Sequence, residues 1–559
     1  MAAHLGGTRA GRGVIAGVLA GAVAVGAGQL VAGIISPGSS PVVVVGQLQI
    51  DYTPPWLKNF AIREFGGHDK EILVGGIVVV LAVFAAILGM LAMRRLWYGL
   101  AGLAVFAAVG VFAAATRPGA TAADVLPALA APAAGVVAML ALIRAARVGR
   151  AAAAPPDAQR GQESAGAAAR LPVPARPPAQ LVPPGPSASP VPPASGAAAG
   201  PLAGPRPGRR HFLVVSGAAA GAAAAGVLAG RLLAERFSVT TARASLRIPA
   251  PAVRAPALPA GALRIPGLAP FLTPNGAFYR VDTAIVLPQV PPASWQLRIH
   301  GMVRKELSVS FAELIRRPLI EDYITLCCVS NPVGGPYIGN ARWLGASLAG
   351  LLRQAGIRAG ADQLLCTSAD GFTSGVPVQA VMDGRDALLA VAMNGAALPV
   401  AHGFPARMVV PGLYGYVSAC KWITDIEVTT YAAAVAYWSA GRGWSQRAPV
   451  KTESRIDVPG GSPVPAGRTA VAGVAWAQHK GIDAVQVRID RGPWQQARLA
   501  AVPGIDTWRQ WVWDWDAAPG RHLIQARATD CTGYTQTPAQ APPEPNGATG
   551  YPAVTVTVS

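Results

Sequence analysis

The pattern of apolar residues divides the chain into a membrane-like first half and a mixed second half. Five apolar runs each approach the roughly 20 residues that span the hydrocarbon core of a bilayer; they cover 14–36, 71–93, 96–116, 123–143 and 214–233. We therefore predict a four-helix transmembrane region over 1–147 and a fifth transmembrane helix over 209–235. The interval 37–70, between the first two runs, is predicted to be an external loop.

The interval 148–208 separates the fourth run from the fifth and has a different composition. It is rich in proline, alanine, glycine and arginine, and it lacks the apolar periodicity of a folded core. We predict a disordered, flexible linker on the cytoplasmic side.

Short alternating patterns replace the long runs after residue 245. Strand-like stretches at 295–299 and 324–328 mix with helical patterns at 311–316 and 348–354, which predicts an α+β domain over 245–445. Beyond residue 446, Trp511, Trp513 and Trp515 share one face at the period of two that a half-buried strand requires. We predict an immunoglobulin-like β-sandwich over 446–559, and hence a multidomain fold; its strands are expected at 469–477, 484–489, 508–515, 522–529 and 554–558.

Composition and charge fit this division. The 559 residues are 52% hydrophobic and carry a formal charge of +19. Many arginines flank the apolar runs, as Arg9, Arg94 and Arg147 do, and no nucleic-acid-binding motif occurs, so nucleic acid is not an expected partner. By the positive-inside rule these flanks are cytoplasmic, which predicts a multi-pass protein of the cell membrane.

The fifth run is preceded by an arginine pair, in the sequence Arg209-Arg210-His211-Phe212-Leu213. Such a pair before a weakly hydrophobic run resembles a twin-arginine export signal placed internally. The alternative is another positively charged flank of a membrane helix. Export by the twin-arginine route carries folded, cofactor-loaded proteins, which predicts a cofactor-binding domain on the extracytoplasmic side.

The five cysteines contain no CxxC pair, which argues against a disulfide framework or a zinc ribbon. We predict Cys366, Cys420 and Cys531 to be buried thiols. Cys327 and Cys328 follow an apolar strand and precede the glycine-rich run 334–343, where a thiolate on a short turn can bind a soft metal. Taken alone, a cysteine at a strand end is more often a core thiol than a metal ligand.

Several short motifs follow one another from residue 275 onward. They are Asn275-Gly276-Ala277-Phe278-Tyr279-Arg280, the strand at 295–301, Thr325-Leu326-Cys327-Cys328-Val329-Ser330-Asn331, Ala341-Arg342-Trp343, Asn394-Gly395, His402-Gly403-Phe404-Pro405-Ala406-Arg407, Val410-Pro411-Gly412 and Lys421-Trp422. The ordered set resembles the sulfite oxidase family of molybdopterin enzymes over roughly residues 270–555. The region that begins at Gly473-Val474-Ala475-Trp476 is similar to that family's dimerisation domain, which implies a homodimer.

The resemblance implies one molybdopterin cofactor whose molybdenum is bound by a single cysteine thiolate. Cys328, which precedes Val-Ser-Asn, takes the metal-ligand position, and Cys327 does not. For His402 the alternative is a turn histidine whose hydrogen bonds are made by the backbone. Arg342 is a further candidate, and its alternative is a solvated or ion-paired surface arginine. The positions that match the family's cofactor-binding residues are Asn275, Tyr279, Arg280, Asp370, His402, Arg407, Ser418 and Lys421.

Two departures from the family pattern bear on the substrate. Pro332 and Val333 follow Asn331 where animal and plant sulfite oxidases have an arginine pair, and Val391 or its neighbour stands at the position of their substrate tyrosine. An oxyanion pocket without these groups would hold sulfite weakly. We therefore expect oxygen-atom transfer with a sulfoxide or another small sulfur compound as the small-molecule substrate.

No haem is expected, because CxxCH is missing and the second to fourth apolar runs contain no histidine. Electrons would then be exchanged with an external redox partner, a cytochrome or a quinol-linked protein. Two alternatives are a non-enzymatic exported protein that uses the fold for adhesion or assembly without metal, and a transporter. The transporter is disfavoured because the apolar runs contain almost no polar or charged residues.

Overall fold

The computed structural model describes residues 9–54, 57, 60, 69–117, 120–151, 207–259, 263–439, 442–461 and 463–559. The linker predicted over 148–208 lies outside the described residues except at its two ends. The fold is therefore described on either side of that linker.

The described part of the first 234 residues is mainly helical. Five of its helices are long and apolar enough to cross a membrane, which is compatible with membrane anchoring. A shorter helix lies within the interval predicted to be an external loop; Pro41 stands in its first turn, where the fixed φ of proline suits a helix start. The helices are α1 (Arg9–Ile35), α2 (Pro41–Tyr52), α3 (Asp69–Arg94), α4 (Leu96–Ala115), α5 (Leu126–Ala151) and α6 (Pro207–Ala234).

Glycines let the apolar helices approach one another closely. α1 carries Gly13, Gly17 and Gly21 at four-residue spacing, and this face packs against α3. A Cβ atom on Gly17 would lie 1.9 Å from the carbonyl oxygen of Ala85, so a larger residue would force the helices apart. Small residues at this spacing are typical of packed membrane helices.

From residue 240 to residue 429 the chain alternates short helices and strands. In chain order these are α7 (Thr240–Ser245), β1 (Gln296–Gly301), β2 (Leu307–Ser310), α8 (Phe311–Arg316), β3 (Leu319–Cys327), β4 (Ile338–Ser347), α9 (Leu348–Ala355), β5 (Gln363–Ser368), β6 (Thr373–Pro377), α10 (Val378–Met382), β7 (Leu388–Met393), β8 (Ala396–Ala397), β9 (Arg407–Val409), α11 (Gly415–Ser418) and β10 (Ile423–Thr429). The helices predicted at 311–316 and 348–354 are present as α8 and α9. Ser310 and Ser347 begin these two helices by accepting hydrogen bonds from backbone N–H groups of the first turn.

Two sheets organise this region. The first has the strand order β3-β4-β7-β8, with β9 paired to β7, and all its pairs are antiparallel. The second has the order β2-β1-β10-β5-β6, in which only β1 and β10 are parallel. Helix α9 buries Leu348, Leu351 and Leu352 in the core that both sheets share.

Two further sheets follow, of four antiparallel strands each. The first has the order β11-β12-β16-β15 and the second the order β14-β13-β17-β18. Their facing sides share one core, to which Trp511 and Trp515 belong while the half-buried Trp513 packs against it, so the three tryptophans lie on one face as predicted. The immunoglobulin type of this region stays a prediction. The strands are β11 (Glu453–Val458), β12 (Gly467–Trp476), β13 (Ile482–Ile489), β14 (Gln495–Gln496), β15 (Arg498–Leu499), β16 (Arg509–Ala517), β17 (Gly520–Asp530) and β18 (Ala553–Val558).

The C-terminal sheets also complete the core of the preceding region. Val474, Trp476 and Trp508 belong to the same hydrophobic cluster as β1, β3 and β10 residues. The backbone N–H of Trp508 donates to Thr325 Oγ1 at 2.7 Å, and the N–H of Thr325 donates to the carbonyl of Asp506 at 2.9 Å. Strand β3 is therefore held from both sides.

Candidate functional site

The turn between β3 and β4 presents the two adjacent cysteines in different ways. Cys327 ends β3 and is fully buried in the hydrophobic core, whereas Cys328 lines a pocket. The turn is fixed by hydrogen bonds from Cys328 N–H to Tyr337 O (2.9 Å) and from Tyr337 N–H to Asn331 Oδ1 (2.8 Å). The thiol in reach of a ligand is thus that of Cys328.

The pocket encloses about 960 Å³ of empty space, part of it open to solvent. Its walls come from the segment 278–283, the β3–β4 turn, the β5–β6 turn, β9, α11 and the loop after β10. The structure brings six of the sequence-predicted site residues to this pocket: Tyr279, Cys328, Asp370, His402, Arg407 and Lys421.

A buried arginine and a partly buried lysine line the pocket close to each other. Arg407 is 4% exposed, and its guanidinium donates to the carbonyls of His402 and Ala419, both at 3.2 Å. Among the residues that the structure describes, no carboxylate pairs with it. Lys421 Nζ lies 2.8 Å from Asp282 Oδ2. Gly403, at φ 106°, allows the two cation-bearing segments to approach, since a Cβ atom there would lie 2.9 Å from that of Arg407.

Burial shifts the pKa values of these groups. It lowers the pKa of Arg407 to about 10, and it lowers the pKa of Lys421 to about 8 although Asp282 favours the charged form. The pKa of His402 falls to about 4, first through burial and then through the positive charges of Arg407 and Lys421. Burial also raises the pKa of the Cys328 thiol. His402 is therefore neutral at pH 7, and its Nε2 lies 3.2 Å from the carbonyl of Asn275.

Three of the predicted cofactor-binding residues do not line the pocket. Asn275 accepts a hydrogen bond from Asn394 at 2.8 Å, and Ser418 donates to the carbonyl of Leu413 at 2.9 Å. Arg280 pairs with Asp282 at 2.8 Å and is partly exposed. Each of these side chains is engaged by neighbouring protein groups, so the structure gives them positions behind or beside the pocket.

The structure also bears on the predictions for Arg342 and for the three cysteines outside the β3–β4 turn. Arg342 lies 3.2 Å from the Glu321 carboxylate and is partly exposed, as the ion-paired alternative states. Cys366 and Cys420 are buried, but the prediction for Cys531 is wrong because this residue stands in the turn after β17 and is exposed.

Sequence reasoning missed the acid and the aromatic residues of the pocket. Asp282 neutralises Lys421 and Arg280 at once, and its place two residues after Arg280 is the signal that could have identified it. Four aromatic lining residues were also missed; they are Phe372, Tyr416, Trp438 and Trp444.

The pocket fits an anionic cofactor that also needs a soft ligand. Arg407 is a buried cation without a carboxylate partner in the described chain, and such a charge is costly unless an anion neutralises it. Cys328 supplies a thiol in the same pocket. A pterin cofactor with a phosphate group and a thiolate-bound metal would satisfy both.

Comparisons with known proteins find similarity to oxidoreductases, including one that is named for molybdopterin binding. The family model described as oxidoreductase molybdopterin binding domain matches residues 284–438. Sulfite oxidase from Gallus gallus is 33% identical over 291 residues, which is 44% of this chain and 62% of that protein. Nitrate reductase [NADH] from Cichorium intybus is 28% identical over 187 residues, which is 29% of this chain and 20% of that protein.

Among solved structures, sulfane dehydrogenase SoxCD from Paracoccus pantotrophus is similar, with a TM-score of 0.45 and 25% identity over 52% of this chain and 82% of that chain. The chain spans less than two thirds of the length of the curated relatives reported above. The family match covers most of the residues that line the pocket, while the segment 278–283 and Trp444 lie outside it. In this region the chain resembles the sulfite oxidase-like family of molybdopterin oxidoreductases.

Proposed function

We propose that this protein is a membrane-anchored oxidoreductase that transfers an oxygen atom at a molybdenum centre bound by Cys328. The observation that carries the proposal is the shared pocket of the Cys328 thiol and the buried Arg407 and Lys421 cations, within a family domain that binds molybdopterin. Reduction of a sulfoxide consumes two electrons and two protons and yields the sulfide and water; oxidation of a sulfide is the reverse. A cytochrome or a quinol-linked protein would exchange the electrons.

Different residues of the pocket would hold different parts of the cofactor. Cys328 would bind the metal, and Arg407 and Lys421 would neutralise the anionic end. His402 is neutral and donates from Nε2 to the Asn275 carbonyl, so its Nδ1 would accept a hydrogen bond from the pterin. When bound, the cofactor supplies the two-electron chemistry and the site of oxygen transfer. Tyr279 and Asp370 would line its flanks; Asn275, Arg280 and Ser418 would act as positioning residues.

The pocket offers little for an inorganic oxyanion. Arg407 and Lys421 are both assigned to the anionic end of the cofactor, and Asp282 already neutralises part of the Lys421 charge, so neither of these two cations is left for a substrate anion. Val391 is fully buried in β7 and does not line the pocket, so it does not replace a substrate-binding hydroxyl. A sulfoxide or another small sulfur compound is therefore the better substrate than sulfite.

The proposal also includes the position of the protein at the membrane. Five apolar helices would anchor the chain, and the arginines that flank them favour a catalytic region outside the cytoplasm. The C-terminal sheets would contribute to a homodimer, as the resemblance implies. The twin-arginine-like sequence in the first turn of α6 agrees with export of a folded, cofactor-loaded domain.

The proposal is tested on the full chain, purified in detergent from a host that makes molybdopterin. We expect stoichiometric molybdenum by metal analysis and, with a reduced viologen dye as electron donor, turnover of methyl sulfoxides but not of sulfite with an oxidised acceptor. A chain that is folded but contains no molybdenum would overturn the enzymatic proposal and favour the adhesion or assembly alternative.

A further inference from the structure

The outer wall of the pocket is aromatic and carries no charged side chain. Tyr416, Trp438 and Trp444 line it on the side supplied by α11 and the loop after β10. We infer that this wall is a substrate subsite that binds the apolar, preferably aryl, group of an uncharged organic sulfoxide or sulfide. The inference rests on the proposed function and narrows its substrate class.

The three rings form one continuous surface. The centroids of Tyr416 and Trp444 are 6.0 Å apart, and those of Trp438 and Trp444 are 6.3 Å apart with planes inclined by 76°. Trp444 is almost fully buried, whereas Tyr416 and Trp438 are half-buried. Inclined rings at these distances leave faces and edges on which another ring can stack.

Neighbouring groups hold the wall in place without a ligand. The Tyr416 hydroxyl donates to the carbonyl of Ser445, and Arg442 donates to the carbonyl of Tyr437 at 2.8 Å. The Arg442 guanidinium also lies 3.8 Å from the centroid of the Tyr437 ring, next to Trp438 in the chain. A preformed wall costs little ordering entropy when a ligand binds, so its contacts contribute to affinity.

The charged side chains of the pocket come from residues other than those of the aromatic wall. The charged or titratable residues that line it, apart from the tyrosines and Cys328, are Asp282, Asp370, His402, Arg407 and Lys421. Arg407, Lys421 and His402 stand at the side assigned to the cofactor, and Asp282 is paired with Lys421. A substrate that rests on the aromatic wall therefore meets an apolar surface, which favours a neutral body over an inorganic ion.

The test compares aryl with alkyl ligands on the full-length holoprotein. In the viologen assay, methyl phenyl sulfoxide should have a kcat/KM about tenfold above that of dimethyl sulfoxide, mostly through a lower KM. Trp444→Ala should abolish this preference, Trp444→Phe should restore most of it, and Trp438→Leu should lower it. Trp494→Ala, which removes a tryptophan that does not line the pocket, is the matched control and should keep the preference.

A binding measurement separates this inference from the proposed function. Methyl phenyl sulfone, titrated by calorimetry, should bind about tenfold more tightly than dimethyl sulfone to the wild type and to Trp444→Phe, and equally weakly to Trp444→Ala. The subsite is overturned by equal binding of both sulfones to the wild type, or by tighter binding of phenyltrimethylammonium, which would indicate a cation site. Absence of turnover together with aryl-selective sulfone binding would instead contradict the proposed reaction alone.

Discussion

At the scale of single residues, the two adjacent cysteines provide the sharpest test of the metal site. Cys328→Ser should lose molybdenum and activity, because it removes the thiolate from the pocket, whereas Cys327→Ser should retain both, because that side chain lies in the core. Metal analysis and the molybdenum spectrum of the two purified variants check the prediction. Loss of metal from Cys327→Ser with retention in Cys328→Ser would reverse the ligand assignment.

Glu453 gives a residue-scale prediction about pH. This carboxyl group is 3% exposed, and its Oε1 has no hydrogen-bond partner in the described structure. Burial raises its pKa to about 8, although Lys451 opposes the shift. Between pH 4.5 and 8 the unfolded chain has lost this proton while the folded chain keeps it, so the contribution of Glu453 to stability falls as the pH rises through this window.

Glu453→Gln should therefore be more stable than the wild type at pH 8, by roughly 3 kcal/mol more than any difference at pH 5. Thermal unfolding followed by tryptophan fluorescence at both pH values measures the change. Glu306→Gln, at a side chain that is 60% exposed, is the control and should follow the wild type throughout. A constant difference between Glu453→Gln and the wild type would show that the carboxyl group does not titrate in this range.

Some of the site residues could be predicted from sequence and others could not. Cys328, Arg407 and Lys421 lie in short motifs whose spacing places them on neighbouring turns and strands, and the structure brings them to one pocket. Asp282 was missed because its role depends on a partner 139 positions away in the chain. Ser418 matches a cofactor-binding position of the family, but its hydroxyl donates to the carbonyls of Leu413 and Tyr414 and it does not line the pocket.

At the scale of secondary-structure elements, the glycine face of α1 controls helix packing. Gly17→Ala should destabilise the helix pair by about 1–3 kcal/mol, because its Cβ atom would overlap the Ala85 carbonyl. Gly76→Ala is a matched control in α3, since nothing lies within 4 Å of its Cβ position. Thermal unfolding of both variants in the same detergent measures the difference; equal melting temperatures would contradict the close α1–α3 contact.

The elements themselves were predictable to different degrees. The apolar runs and the α8 pattern depend on local periodicity, and the structure places helices there. Helix α2 was missed, since its 12 residues are too short to give a membrane-length signal. Strand β11 was also missed, because its residues Glu453 to Val458 mix charged and apolar side chains, and its pairing with β12 is not visible locally.

At the scale of the whole molecule, the five cysteines offer a test of sidedness. Cys531 is exposed, and the other four cysteines are buried. If the catalytic region lies outside the cytoplasmic membrane, a membrane-impermeant maleimide should label intact spheroplasts at Cys531, and Cys531→Ser should abolish the labelling. Labelling that requires permeabilised cells would place the region in the cytoplasm.

The hydrogen bonds between Thr325 and the segment 506–508 have a consequence for biosynthesis. Strand β3, which carries the cysteine turn, reaches its final environment only when Asp506 and Trp508 are in place. Those residues are translated roughly 180 positions after Cys328. The ribosome must therefore synthesise the chain beyond residue 508 before β3 reaches its final packing, so cofactor loading that depends on this packing would follow synthesis of the C-terminal sheets.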